Sequence, residues 1–331
     1  MSCFHPVYAL QYVSSSRDRK PFEFTSEPCH EVGEIFSHRD GHLVKYICLP
    51  CDQCIGCRLE YSKQWANRMV CESLNYDPDT NFFLTLTYDD EHIHTSEKGH
   101  LTLFPSDCTK FFKDFRDRMS YHYGIQGIRF FLAGEYGDTT FRPHYHACLF
   151  NCPLSGLEYK YSNNRGDHFF TCPDIESVWP YGYHLVSQFN WLTAAYTARY
   201  ILKKQKGDNA ELYEEAGIEP PFTRMSRMPG IGSDYFREHF VDIYDTDSIV
   251  LPPKEGKSNV VKPPKYFDNM LKGHDYELYE QVKAKRENMA AVARRVRKEE
   301  LTIPEEEFFR NSEIILENDL KKLPRYLDKS F

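Results

Sequence analysis

Residues 127–150 read GIRFFLAGEYG, DTTF, RPHYHACLF: two apolar, aromatic stretches with a short polar break between them. Each has the length and composition of a β-strand, and so short a break returns the second strand against the first as an antiparallel hairpin. The flanking segments extend this pattern. NFFLTLTYDD (81–90) reads as a buried strand, and YGYHLVSQF (181–189) alternates like another. PSDCTKFFKDFRDRMSYHYG (105–124) has helical spacing, with Ser106 as the expected N-cap and Gly124 as the stop. RLEYSKQWANRMVCESLNY (58–76) and WLTAAYTARYILKKQ (191–205) also read as helices, while 151–178 reads as a loop-rich insertion. The order strand, helix, strand, hairpin strand, insertion, strand, helix gives an α+β class: a central antiparallel sheet with flanking helices, placed on one face. Three segments follow. Residues 1–80 hold a Cys-rich stretch and a helix, 81–245 the sheet domain, and 246–331 a Pro-rich linker with a C-terminal helical region. The linker is LPPKEGKSNVVKPPKY (251–266), and charged helices are expected at 275–300 and beyond 304.

The hairpin also carries chemistry. Side chains alternate along a strand, so His144 and His146 share one face while Tyr145 and Ala147 take the other. Glu135, at the end of the partner strand, can reach the same face. Two imidazoles and a carboxylate make a facial set with open positions, a geometry suited to a catalytic cation. Asp138 and His92 are second-row candidates. The alternative is a pair of polar residues on a solvated face, in a chain with 14 histidines.

Tyr196 and Tyr200 are one helical turn apart, with Cβ atoms about 6 Å from each other. Arg199 and Lys203 each follow one of them by three residues. A phenol titrating near 10 is a weak nucleophile, and a neighbouring cation favours its phenolate. In a chain with 23 tyrosines, a core aromatic stripe is the competing reading.

Eleven cysteines in a sequence without a secretory start point to thiols or metal ligands in a reducing cytoplasm. Cys48, Cys51, Cys54 and Cys57 recur every third residue. One compact four-thiolate site from this run is sterically crowded. Two or three of these cysteines with Cys3, His5 or Cys29 make a zinc site instead, and free thiols or an iron–sulfur site are the alternatives. The net charge of −8 is unusual for a nucleic-acid binder, although 198–206 and 223–228 are locally basic. No apolar run of about 18 residues is present, so no membrane span is expected. MPGIGS (228–233) is not a phosphate-binding P-loop, and reads either as a turn where backbone approaches DNA or as a plain surface turn. RRVRK (294–298) lies in a charged helix whose face is either solvated or used for a partner.

FLTLTY (83–88), RPHYHACLF (142–150) and YTARYILKK (196–204) occur in the order seen in the HUH endonucleases, and the paired tyrosines resemble their two-tyrosine branch. MSCFHP (1–6), CDQCIGCRLEYSKQWANRM (51–69) and MSRMPGIGSDYF (225–236) narrow the resemblance to replication initiators of gokushovirus-type Microviridae. Tyr145, bulky but not aliphatic, departs mildly from the family pattern. The resemblance implies an HUH or RRM-like catalytic sheet over 81–245. It implies Mg²⁺ or Mn²⁺ held by His144, His146 and Glu135, and a tyrosine nucleophile assisted by Lys203 and Arg199. Tyr200, in its Y-x-x-K context, is favoured for the first attack, with Tyr196 as its alternate. The product would be a 5′-phosphotyrosine and a free 3′-OH on a single-stranded origin. Host helicase and DNA polymerase would complete the work in the bacterial cytoplasm. A relaxase or transposase, a water-using metal hydrolase, and a zinc-containing DNA-binding protein without chemistry are the competing readings.

Overall fold

The computed structural model describes residues 3–13, 22–25, 31–137, 140–203, 208–254 and 257–322, without the side chains of 200–203, 208–210, 254, 321 and 322. The chain divides into two compact units, one from 1–61 with 271–325, the other from 62–270. The N-terminal and C-terminal segments therefore share a unit.

The first unit opens with β1 (Val7–Tyr12), β2 (Phe22–Thr25), β3 (Ile35–Ser37) and β4 (Leu43–Leu49). They form an antiparallel sheet in the order β2-β1-β4-β3. Ala9, Val44 and Tyr46 are fully buried in it, and Tyr8 stacks on Tyr46 at 5.6 Å. The sequence reading found no structure here, because the strands are short and broken by polar loops. The chain then enters α1 (Ile55–Ser73), which carries it into the second unit.

The second unit contains β5 (Phe82–Tyr88), α2 (Pro105–Tyr123), β6 (Arg129–Tyr136), β7 (Pro143–Phe150), β8 (Glu158–Ser162), β9 (His168–Thr171), α3 (Pro173–Glu176) and β10 (Gly182–Gln188). It continues with α4 (Trp191–Lys203), α5 (Asp208–Ala216), β11 (Phe222–Met225), α6 (Ser233–Thr246), β12 (Ile249–Lys254) and β13 (Lys257–Val261). A seven-stranded sheet runs β11-β6-β7-β5-β10-β9-β8, each pair antiparallel. The α+β class with a central antiparallel sheet is as the strand order implied. β8 and β9 form a hairpin inside the segment expected to be a loop-rich insertion, and widen the sheet past β10.

Period-two alternation assigns the two faces. Leu84, Leu86, Tyr88, Leu132, Tyr145, Ala147 and Leu149 face α2, where they pack with Phe111, Phe115 and Met119. α2 ends as expected at Gly124, in the left-handed region at φ 67°. Its N-cap is Phe104 with no side-chain bond, not Ser106. Pro105 occupies the first helical position, where its fixed φ and missing N–H fit, and this moves Ser106 into the first turn. The opposite face presents Phe83, Thr85, Phe131, Ala133 and Cys148, all buried. α4 covers it through Thr197 against Cys148 and Tyr196 against Phe83. Helices thus flank both faces, not one, because residues of both parities are apolar and each face needs a cover.

The Pro-rich stretch is an antiparallel hairpin of β12 and β13, not a linker, with a register shift between Leu251 and Lys254. A two-stranded ribbon has open edges, so Pro252 and Pro253 need not supply ladder N–H groups. After α7 (Lys265–His274) the chain is back in the first unit with α8 (Tyr276–Glu300) and α9 (Glu305–Lys322). There His5 meets Glu313 at 2.7 Å and Lys45 meets Glu287 at 2.6 Å. Among the described residues, no helix is long and apolar enough to cross a membrane.

Candidate functional site

Two cross-strand rows define the site. Thr87, His144 and Glu135 lie opposite one another on β5, β7 and β6, and Thr85, His146 and Ala133 form the next row on the same face. Glu135 Oε1 is 3.1 Å from His146 Nε2, and both residues are buried. Thr85 Oγ1 bonds His146 Nδ1 and Thr87 Oγ1 bonds His144 Nδ1, each at 3.1 Å. With Nδ1 of both rings engaged by hydroxyls, Nε2 is the nitrogen each ring can direct to a shared ligand. His144 is half-buried, and its ring lies 6.4 Å from that of His146. A Cβ on Gly137 would lie 3.3 Å from His144 Nε2, so glycine keeps that ring edge clear. The donor set of two imidazoles and a carboxylate suits a divalent cation of intermediate hardness.

Phe83 stacks on His146 at 5.6 Å, and α4 lays Tyr196 edge-on to the same imidazole at 5.2 Å and 81°. The Arg199 guanidinium is 5.9 Å from the Tyr196 ring. Tyr200 and Lys203 continue α4 by one turn, but their side chains lie outside the described residues, as do Asp138 and Lys204. His92 is fixed by Asp89 at 2.8 Å in the turn after β5. The two threonines escaped the sequence reading. Their parity in FLTLTY matches that of the histidines, but only the β5–β7 register shows which hydroxyl meets which ring.

Tyr145, the departure from the family pattern, points away from the site. Its hydroxyl accepts the Phe104 N–H at 2.8 Å and lies 3.1 Å from the Tyr88 hydroxyl. Tyr88 donates in turn to Asp107 at 2.7 Å. An aliphatic residue here would leave these buried groups short of a partner.

The PGIG turn is held from inside the protein, which corrects the reading of backbone offered to DNA. The Ile231 carbonyl accepts two bonds from Arg68, at 3.0 and 2.9 Å, and the Pro229 carbonyl accepts Arg129 at 2.8 Å. The Gly232 N–H donates to Glu72 at 2.6 Å. Glu72 is fully buried, pairs with Arg129, and accepts the Tyr76 hydroxyl at 3.2 Å. Ile231 itself is fully buried, and a side chain on Gly230 would strike Tyr266.

In the first unit Cys3, Cys51, Cys54 and Cys57 bring their sulfurs within 4.8 Å of one another, a group able to hold a metal ion. Among the described residues no other set of three or more His, Cys, Asp or Glu side chains is drawn together so closely. Cys48, expected in the group, is replaced by Cys3. It sits in the β4 ladder opposite Tyr8, whereas the chain is free to turn inward only after Leu49. His5 is engaged by Glu313, and Cys29 lies outside the described residues. Burial raises the Cys3 thiol to about 11 and raises Cys57 as well. Burial also opposes ionisation of Cys54, but the N–H groups of Phe4 and Cys57 outweigh it and bring that thiol down to about 7.

Residues 81–205, from β5 to α4, match the replication-associated protein ORF2 family. The replication-associated protein ORF2 of Spiroplasma virus 4 is 36% identical over 244 residues, covering 73% of this chain and 74% of that protein. The replication-associated protein VP4 of Bdellovibrio phage phiMH2K is 28% identical over 242 residues, 72% of each chain. The replication-associated protein ORF4 of Chlamydia phage 1 is 28% identical over 243 residues, 70% of this chain and 56% of that one. No solved structure matches. Both rows of the site and Tyr196 fall inside the matched span, and the chain belongs to the replication-associated protein ORF2 family, among its Microviridae-type phage members.

Proposed function

We propose that the protein is a rolling-circle replication initiator of the HUH kind, which nicks a single-stranded phage origin by tyrosine attack and later rejoins the ends. The observation that carries this reading is the convergence of Glu135, His146 and Tyr196 on one face, at 3.1 Å and 5.2 Å. His144, His146 and Glu135 would hold a divalent cation, Mn²⁺ fitting two imidazoles better than Mg²⁺. When bound, the cation supplies Lewis-acid neutralisation of the scissile phosphate.

The rest falls to the chain's own groups. The phenolate oxygen forms a bond to phosphorus as the bond to the 3′-oxygen breaks. The departing oxygen takes a proton to become a free 3′-OH, and the 5′-phosphate stays on tyrosine. One phosphoester replaces another, so no nucleoside triphosphate is consumed. Arg199 beside Tyr196 favours the phenolate and offsets charge on the phosphate. Tyr200, with Lys203, would serve as the second nucleophile, one turn along α4 and about 6 Å away. Tyr200 takes the first strand and Tyr196 the regenerated origin, so that the released 3′-OH resolves the first adduct into a circle. A host polymerase extends the 3′-OH and a host helicase separates the strands, in the cytoplasm of the infected cell.

The test uses labelled phage single strands, Mn²⁺ and a denaturing gel. A protein–DNA adduct should form, survive in Tyr196→Phe and in Tyr200→Phe, and vanish in the double variant. Cleavage without an adduct would instead identify a water-using hydrolase. No cleavage of the complete phage genome would leave DNA binding alone.

A further inference from the structure

We infer that Cys3, Cys51, Cys54 and Cys57 form a closed, structural zinc site with four thiolate ligands. The dimensions fit one ion. Zinc–thiolate bonds of about 2.3 Å in a tetrahedron require sulfurs roughly 3.8 Å apart. The Cys51–Cys57 and Cys3–Cys54 sulfur pairs are each at 4.0 Å, and every pair lies within 4.8 Å. The same distances are too long for disulfides, whose sulfurs are bonded at about 2.05 Å.

The backbone points the same way. The Cys51 N–H is directed at Cys3 Sγ at 3.2 Å, and the Phe4 N–H at Cys54 Sγ at 3.4 Å. Cys51 Sγ receives two N–H groups, from Cys54 at 3.2 Å and Gln53 at 3.5 Å. Four thiolates around one Zn²⁺ carry net negative charge, and amide dipoles aimed at sulfur offset it. Four protein ligands leave no open coordination position, so the role is structural and separate from strand cleavage. Cys51 and Cys54 lie just before α1 and Cys57 in its first turn, while Cys3 precedes β1. The ion therefore pins the chain's start to the foot of α1, across the whole β1–β4 sheet.

The test is elemental analysis of the full-length protein after dialysis against a weak chelator. About one zinc per chain is expected. Cys48→Ser and His144→Ala should retain the zinc, whereas Cys3→Ser and Cys54→Ser should lose it. If the serine variants fail to fold, cobalt exchanged into the unaltered protein decides the question. It should show the visible bands of a tetrahedral thiolate site, and the four cysteines should resist alkylation until a strong chelator is added. Zinc absent from the unaltered protein, iron in its place, zinc kept by Cys3→Ser, or cobalt without thiolate bands would each overturn the inference. Because His144→Ala removes the proposed cleavage but not the zinc, failure of one reading is distinguishable from failure of the other.

Discussion

Replacing Thr85 by valine removes one oxygen while preserving the shape of the side chain. That oxygen is the Nδ1 partner of His146, and both residues are 2% exposed, so water cannot easily take its place. A buried donor left without an acceptor costs about 1–3 kcal/mol. The cost falls most heavily on the cation-loaded state. Once Nε2 is given to a ligand, Nδ1 must hold the proton and needs an acceptor. Loss of such an orienting bond weakens metal binding about 10–100-fold, or roughly 1.4–2.7 kcal/mol. Initial rates of strand cleavage titrated with Mn²⁺ should show the midpoint rising at least about tenfold in Thr85→Val, with the saturated rate little changed. Thr85→Ser should restore it. Thr87→Val should shift the midpoint by roughly threefold or less, because His144 is half-buried and water can replace the hydroxyl. Equal midpoints in Thr85→Val and the unaltered protein would refute the reasoning. So would a lower saturated rate at an unchanged midpoint, which would place the hydroxyl in the chemistry.

Glu72→Gln should lower stability by about 3–5 kcal/mol, because it leaves the Arg129 charge uncompensated in the interior; a urea midpoint within error of the unaltered protein would contradict this. Tyr145→Phe should cost about 1–3 kcal/mol through the unpaired Phe104 N–H. At about 2–4 °C per kcal/mol for a unit of this size, differential scanning calorimetry will resolve it, and the Mn²⁺ midpoint should not move. Strong chelation should lower the melting temperature of the β1–β4 sheet, read by near-ultraviolet dichroism of Tyr8 and Tyr46, and added zinc should restore it.

The sheet was legible because its strands carry strict alternation: one parity of β7 is Tyr145, Ala147, Leu149, and the other His144, His146, Cys148. The same alternation placed both histidines with Glu135, since a hairpin fixes its own register within a residue or two. What spacing cannot supply is register between distant segments. Thr85 and Thr87 are 61 and 57 residues from their histidines, and Cys3 is 48 from Cys51. The regular Cys48–Cys57 run suggested its own four members, and only the end of the β4 ladder shows why Cys48 stays out. Prolines 252 and 253 looked like breakers because sequence does not reveal that their hairpin has no third strand. The PGIG turn looked exposed because glycine and proline usually mark surface turns, whereas Arg68, Glu72 and Arg129 come from distant elements to bind it.

β7 has a bonded neighbour on each side, β6 and β5, and each of these has another strand beyond it. Amide exchange from His144 to Cys148 therefore requires rupture of two ladders at once and should track global unfolding. Damage elsewhere in the sheet would then not yield a loosened enzyme with altered selectivity. It would reduce the fraction of intact molecules, each of which retains full competence.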